Sequence, residues 1–554
     1  MLGSRPAWTV RLLVFSLALG GLRDPRLFAV AGAAAWAVVW LERPALGPAA
    51  AWLPWLAWAL LSMLASSQPL AGLPVVARWA TVLACASLAA SWTTRAREEW
   101  LKSFLFVTSI LAASALATGA GRGWRINMTG LIPPYYNYTA FVLSAAAAAA
   151  AAWVLHPRGA QGRDAKAAAT VCAIAFLCVV LARSRGAWLG LGVAAALWST
   201  RRWGPRAIFV VIVAAALFGG ALAGGFLPGR LEEILFKKYR EHAEARPRLW
   251  RAAAAIATDH PWLGTGPGNF AVGFRLRPVA REDGAARWAM STSYAHSEPL
   301  QAAAETGWMG LALWLLGAGA ALSALLRRAH DDPVIEAAAT AAASMTAQLL
   351  IDNMLQIPAL AALWLCALTV ASAPVGRKRR PWPSLAILAG AALTLVSWIP
   401  HTLAAAGPAR AAALFPAEPA PHENLAYKAL AAGQAAGAET HWASAQNLEP
   451  FNAIYPWRRA QLAAAAGLWT QAESLAARAV ELEPGFMNAR LLRAESLVRL
   501  GRAPEARVAL DEFRQLRARR GNALTDSGYE RTVWIFYRRD YDRVAALAGR
   551  PPLR

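Results

Sequence analysis

The chain has 554 residues, of which 57% are hydrophobic and 16% charged, with a formal net charge of +23 and a mean hydropathy of +0.34. So apolar a chain of this length carries more hydrophobic surface than a water-soluble fold can bury, which excludes an ordinary globular protein and implies a polytopic membrane protein. The cysteines, Cys85, Cys172, Cys178 and Cys366, all fall in apolar runs, so neither a disulfide framework nor a thiolate metal site is implied.

A helix of about 20 apolar residues crosses a hydrocarbon core of about 30 Å. Runs of this kind predict about thirteen spans, at 7–22, 26–42, 49–66, 72–92, 100–119, 136–155, 165–182, 186–199, 206–224, 306–326, 333–352, 355–374 and 383–404. Residues 1–21 also have the outline of a signal peptide, but no small-residue cleavage pattern stands out and further spans follow, so they are taken as the first helix. The alanine run at 145–152 is expected to be packing surface, because small residues let helices approach closely in a membrane. The expected class is all-α, divided into N-terminal transmembrane helices (1–224), a long loop (225–305), C-terminal transmembrane helices (306–404) and a tail (405–554).

Lys and Arg in short loops are retained on the cytoplasmic side. With the N-terminus inside, the basic loops at 94–97, 158–166, 201–206, 327–328 and 377–380 all fall on that side, and 23–26 is a mild exception. The long loop and the tail then lie outside. Orientation therefore does not account for the cations of that loop, Lys237, Lys238, Arg240, Arg246, Arg248, Arg251, Arg275, Arg277, Arg281 and Arg287. Outward cations suit either a phosphate or diphosphate head group, which Arg grips with paired hydrogen bonds, or ordinary anionic membrane lipid. No nucleic-acid partner is expected.

Within the loop, Gly264, Gly266 and Gly268 follow no strand and precede no Lys-Ser/Thr, which disfavours a nucleotide loop. They are expected to form a tight turn that ends a helix over 248–258 and packs the loop against the membrane helices. His296 stands where the loop meets the next apolar run, and an imidazole is the side chain best suited to accept a proton near neutral pH. Glu305 follows it and is expected either to orient the imidazole, to hold an acceptor or to form a salt bridge. Arg185 stands where two consecutive spans meet on the outer side, with Arg183 close by. Asn137, Asp352 and Asn353 are polar groups at outward span ends that either line a sugar cavity or cap helices. The 26 tryptophans suggest interfacial anchoring first, with Trp250, Trp262 and Trp288 also candidates for stacking on sugar faces.

In the tail, Leu448-Glu-Pro450 recurs as Leu482-Glu-Pro484, while Gly433, Gly467 and Gly501 are equally spaced, as are Ala438, Ala472 and Ala506. The 34-residue period resembles tetratricopeptide repeats, and it implies a short helical solenoid over about 420–520 with a capping segment beyond. Such a solenoid serves either as a protein-partner surface or as a stabilising cap.

The order Ser184-Arg185-Gly186-Ala-Trp, Arg248-Leu-Trp-Arg-Ala-Ala, His260-Pro-Trp-Leu-Gly-Thr-Gly-Pro-Gly-Asn-Phe270, then Ala295-His296-Ser-Glu-Pro-Leu-Gln with Glu305-Thr-Gly307, resembles the bacterial O-antigen ligase and polymerase superfamily. The resemblance covers about 120–310 in specific motifs. Ser297 replaces the Asn that many members carry after the His, so no role of that Asn carries over. The resemblance implies a GT-C-like glycosyltransferase of the bacterial inner membrane. It would move a glycan from undecaprenyl diphosphate to an acceptor hydroxyl at the periplasmic face, with neither metal nor nucleotide sugar. It also implies His296 as the base and Arg185 and Arg248 as ligands of the leaving diphosphate, supported by Arg183, Glu305 and Asn137. Lipid A core is the expected acceptor, with polysaccharide polymerisation and O-linked transfer to protein as alternatives. From another class, a lipid-linked glycan transporter would also be polytopic and basic outside, but it would carry more ionisable residues within its spans than Arg78 and its few companions, and matched halves. A non-enzymatic scaffold presenting the tail would not require Arg185, Arg248 and His296.

Overall fold

The computed structural model describes residues 14–121, 130–132, 136–182, 184–204, 206, 245–280, 286–288, 291–328, 332–372, 381–520 and 528–553. Among them the secondary structure is helical, apart from one isolated bridge between Ala45 and Pro381. Two compact units result: Met1–Gly268 with Tyr294–Ile399, and Asn269–Ser293 with Pro400–Arg554.

In the first unit the helices are α1 (Pro25–Glu42), α2 (Leu53–Ala65), α3 (Pro69–Ala90), α4 (Thr94–Gly121), α5 (Tyr136–Leu155), α6 (Gly162–Ala182), α7 (Arg185–Trp203), α8 (Ala245–Asp259), α10 (Glu298–Arg328), α11 (Pro333–Leu349), α12 (Pro358–Ser372) and α13 (Ser384–Val396), while the intervening Phe270–Leu276, α9, belongs to the second unit. Several starts are written in the sequence. Asp24 and Asp332 cap α1 and α11 by accepting backbone N–H groups one turn ahead, each followed by a proline whose fixed φ suits the first helical position. Eight helices among the described residues are long and apolar enough to cross a membrane: Pro25–Glu42, Gly47–Ala65, Pro69–Ala90, Thr94–Ala120, Tyr136–Leu155, Gly162–Ala182, Glu298–Ser323 and Ser384–Ala405. The protein is therefore a polytopic helical membrane protein.

The expected spans at 186–199, 333–352 and 355–374 do form α7, α11 and α12, but α11 and α12 have 17 and 15 residues and α7 closes on Arg201 and Arg202, so they fall short of a full apolar crossing. Residues 206–224 lie outside the described residues except for Arg206, and so do residues 7–13 of the span expected at 7–22. The expected start of a span at 306 falls at a break inside α10, where Gly307 adopts φ 73° and ψ 176°.

The alanine run of α5 is buried almost throughout and packs against α11, which is alanine-rich over 337–343. Methyl-on-methyl contact brings the two backbones close enough for Thr340 Oγ1 to donate to the Ala148 carbonyl at 3.3 Å and for Gln348 Nε2 to reach Ser144 Oγ at 2.7 Å. A second part of the core is tryptophan: Trp52 stacks on Trp79 at 5.7 Å, Trp314 on Trp364 at 6.2 Å, and Trp52 meets both members of the second pair edge-on. These rings serve as filler between helices rather than as anchors at a water boundary.

The second unit comprises α9 (Phe270–Leu276), the 286–288 segment, and α14 (Ile399–Ala405, which starts one residue earlier) to α23. After α15 (Pro408–Leu414) come three antiparallel pairs: α16 (Pro419–Ala431) with α17 (Ala435–Leu448), α18 (Ile454–Ala465) with α19 (Trp469–Leu482), and α20 (Met487–Arg499) with α21 (Ala503–Arg520). The second helix of each pair starts 34 residues after its predecessor. Gly433, Gly467 and Gly501 make the turn within each pair at φ near +75°, and Ala438, Ala472 and Ala506 are buried where paired helices meet. Ion pairs obey the same period, Arg459 Nε donating to Glu439 at 2.7 Å and Arg493 Nε to Glu473 at 3.1 Å. Helices α22 (Gly528–Trp534) and α23 (Arg538–Leu547) follow, and Tyr541 and Val544 of α23 close the core of the last pair with Leu497 and Phe513.

The inserted segment is held in this unit by charge and by apolar burial. Arg275 of α9 grips the Glu418 carboxylate with both terminal nitrogens, at 3.0 and 3.1 Å. Glu483, 1% exposed, accepts the backbone N–H groups of Arg287 and Trp288, both at 2.7 Å, and the Tyr529 hydroxyl at 3.2 Å. Beside it, Ala286 is buried with Trp457, Phe486 and Val533, and the Trp288 ring packs on Phe451.

Candidate active site

The glycine turn shows why the loop motif has its spacing. Gly264, Gly266 and Gly268 all have positive φ, and a Cβ on Gly264 would lie 2.3 Å from the Glu305 carbonyl carbon. That closeness lets Thr265 and Gly266 donate their N–H groups to the carbonyls of Ala304 and Glu305, at 3.0 and 2.9 Å, while Trp308 returns a bond to Pro261 at 2.8 Å. Ser62 Oγ of α2 donates at 2.5 Å to the Leu263 carbonyl, and a Cβ on Gly268 would meet Ala71 of α3 at 2.6 Å. The turn is thus welded to the start of α10 and to the membrane helices, as the glycines led one to expect.

His296 lies two residues before the start of α10 in a left-handed conformation, φ +53°, rare for a residue with a Cβ. Its carbonyl accepts Trp250 Nε1 at 3.1 Å, and the N–H of Ala295 donates to Gln301 Oε1 at 2.6 Å, so the backbone is fixed on both sides. Its Nδ1 is 3.4 Å from Asp352 Oδ1, at the long end of hydrogen bonding. The imidazole is about a third exposed, at 34%, whereas the Asp352 side chain is 4% exposed.

Asp352 is the hub. Its Oδ2 accepts Asn137 Nδ2 at 2.9 Å and a terminal nitrogen of Arg246 at 2.9 Å, and its Oδ1 also accepts the N–H of Asn353 at 3.3 Å. Arg246 and Trp250 are four residues apart on α8, so one edge of that helix reaches both the carboxylate and the His296 carbonyl. Arg248, half-buried, lies about half a turn around from that edge. Arg185 is exposed as the first residue of α7, whose cap is the buried Ser184; a Cβ on the adjoining Gly186 would stand 3.9 Å from Asp352 Oδ2, so that helix end also faces the hub. Glu305 connects to the same turn through Gln301, whose Nε2 donates to its carboxylate at 2.7 Å. Arg183 lies outside the described residues. Burial, partly offset by the field of Arg78, holds the Tyr294 hydroxyl above its usual pKa, so it remains a neutral donor beside the histidine turn.

Sequence reading singled out His296 and Asn137 but passed over Arg246 in favour of Arg248, and treated Asp352 as one polar group among several. The four-residue spacing of Arg246 and Trp250 on an amphipathic helix was the available signal.

Residues 170–315 match the family described as O-antigen ligase. The ligase-type segment holds Arg185, Arg246, Arg248, His296 and Glu305; Asn137 and Asp352 lie beyond its two ends. The match supports the O-antigen ligase superfamily and, with it, a glycan-transferring function in a membrane protein. No curated protein matches this chain.

Proposed function

We propose that this protein is an O-antigen ligase-like glycosyltransferase of the bacterial inner membrane, moving a glycan from undecaprenyl diphosphate to an acceptor hydroxyl, that of a lipid A core, at the periplasmic face. The observation that carries this reading is the His296–Asp352 pair, set among arginines within and beside the ligase-type segment. With Nδ1–H directed at Asp352, Nε2 carries the lone pair and receives the proton of the acceptor hydroxyl. The hydroxyl oxygen bonds to the anomeric carbon as the bond from that carbon to the diphosphate oxygen breaks, and its electrons leave with the diphosphate. Arg185 and Arg248 stabilise that developing charge without a metal ion. Asn137 and Arg246 hold Asp352, and Glu305 buttresses the histidine turn through Gln301.

In this reading the N-terminus is cytoplasmic, and the tail is a periplasmic tetratricopeptide-like solenoid, supported by its 34-residue helix period, with a surface for a protein partner. The test uses the full chain in lipid nanodiscs with an undecaprenyl diphosphate-linked glycan and lipid A core. Transfer that is lost in His296→Ala supports the reading. Transmembrane movement of donor without bond exchange would make it a transporter, and product extended only on the lipid carrier would make it a polymerase.

A further inference from the structure

Two buried ionisable side chains stand behind the histidine and outside the transfer chemistry. Arg78, in the middle of α3 and 8% exposed, sends one terminal nitrogen to the Gln356 carbonyl and the other to Gln356 Oε1, both at 3.1 Å. Glu298, 5% exposed and two residues after His296, accepts the N–H of Leu355 at 2.7 Å. Leu355 and Gln356 belong to the non-helical 351–357 stretch between α11 and α12, which carries Asp352. Beyond the bond from the Ile357 N–H to the Met354 carbonyl at 3.2 Å, this turn takes its geometry from what holds it, and here a guanidinium and a carboxyl group hold it from two helices. A charged group inside a membrane span is also costly to keep without a role.

We propose that Arg78 and Glu298 are positioning residues that fix the 353–356 turn so that Asp352 meets His296. The inference rests on the reading of His296 as the base. The charged or titratable groups around the imidazole are Asp352 and Arg246 in its network, Glu298 and Tyr294 on its own segment, Arg78 on α3, and Arg185 and Arg248 at the facing helix ends.

Charge and hydrogen-bond geometry make different demands, which makes the proposal testable. The experiment follows hydrogen exchange of the peptide covering 351–357, read by mass spectrometry on the full chain in nanodiscs, together with kcat and donor KM for transfer. Exchange in that peptide is expected to rise about tenfold, and kcat to fall with little change in KM, in both Glu298→Ala and Arg78→Gln. Both changes are also expected in Arg78→Lys, which keeps the charge but cannot bond twice, and neither in Glu298→Gln, which keeps the acceptor for Leu355.

Wild-type exchange in Arg78→Gln, or Glu298→Gln behaving like Glu298→Ala, overturns the proposal. If Arg78→Gln does not fold, Arg78→Lys and the Glu298 pair decide. Because exchange needs no turnover, faster exchange of the turn in these variants of a protein without transferase activity would sink the functional reading and leave the positioning intact, while normal transfer with unmoved exchange would do the reverse.

Discussion

Asp352 stands 56 residues beyond His296 in the chain, yet its Oδ1 lies 3.4 Å from the imidazole Nδ1. A carboxylate in that place selects the tautomer whose other nitrogen is basic. Asp352→Asn, which can present its amide nitrogen to Nδ1 and favour the wrong tautomer, is expected to lower kcat by about 10²-fold or more with little change in donor KM. The double variant with His296→Ala is expected to be no slower than His296→Ala alone, since the two act as a unit.

Arg185→Ala and Arg248→Ala are expected to weaken donor binding and slow transfer, with a combined loss in kcat/KM of about 10²-fold each, because a charge-assisted contact to the leaving diphosphate is removed. Steady-state kinetics against donor concentration, with folding verified by size-exclusion profile, measures this. Lysine at 185 is expected to restore only part, since it lacks the paired donors of a guanidinium.

Transfer is expected to persist unchanged after extensive treatment with a chelator, because guanidinium groups supply the positive charge in the proposed reaction. A rate that collapses with chelation and returns with added divalent cation would replace that account.

Gly307→Ala is expected to destabilise the protein by about 2–4 kcal/mol. The glycine has φ +73°, and a Cβ there would stand 2.3 Å from the Trp262 carbonyl oxygen. Gly192→Ala is the matched control: it lies inside α7 with nothing within 4 Å of the added methyl, and a stabilisation of about 0.5–1 kcal/mol is expected. Thermal unfolding of the two variants checks both signs.

Glu483 gives the tail a pH dependence. Burial raises its pKa above the ordinary 4.5, opposed by the N–H groups of Trp288 and Arg287 and by the Tyr529 hydroxyl. A carboxyl with a raised folded pKa contributes its stability in full below the unfolded value and loses it as pH rises through the folded one. The unfolding temperature of wild type relative to Glu483→Gln is therefore expected to decline as pH rises above the ordinary 4.5, since the glutamine variant has no proton to lose. A difference that grows with pH would contradict the burial argument.

Local features were legible in the sequence. The span expected at 136–155 is helix Tyr136–Leu155, because a predominantly apolar run of twenty residues bounded by polar loops leaves little choice. The glycines at 264, 266 and 268 announced a turn with positive φ, and the repeat spacing in the tail announced its paired helices. What stayed hidden was long-range. Nothing in the residues around Asp352 says that it will meet Asn137, Arg246 and His296, since such pairing is set by helix packing. Hydropathy cannot tell a tryptophan facing lipid from one facing protein, so the Trp52 cluster was missed. Nor does amphipathic pattern reveal that Arg275 and Trp288, which precede His296, fold with the tail.

That last arrangement sets an order for biosynthesis. Trp288 leaves the ribosome 195 residues before Glu483, which at about 5–20 residues per second is a wait of roughly 10–40 s before its partner exists. Throughout that interval the nascent chain carries an apolar, cationic stretch with nowhere to dock, a natural client for a chaperone. For the same reason the C-terminal module cannot be exchanged between genes as a cassette, because part of its core is encoded upstream of the histidine.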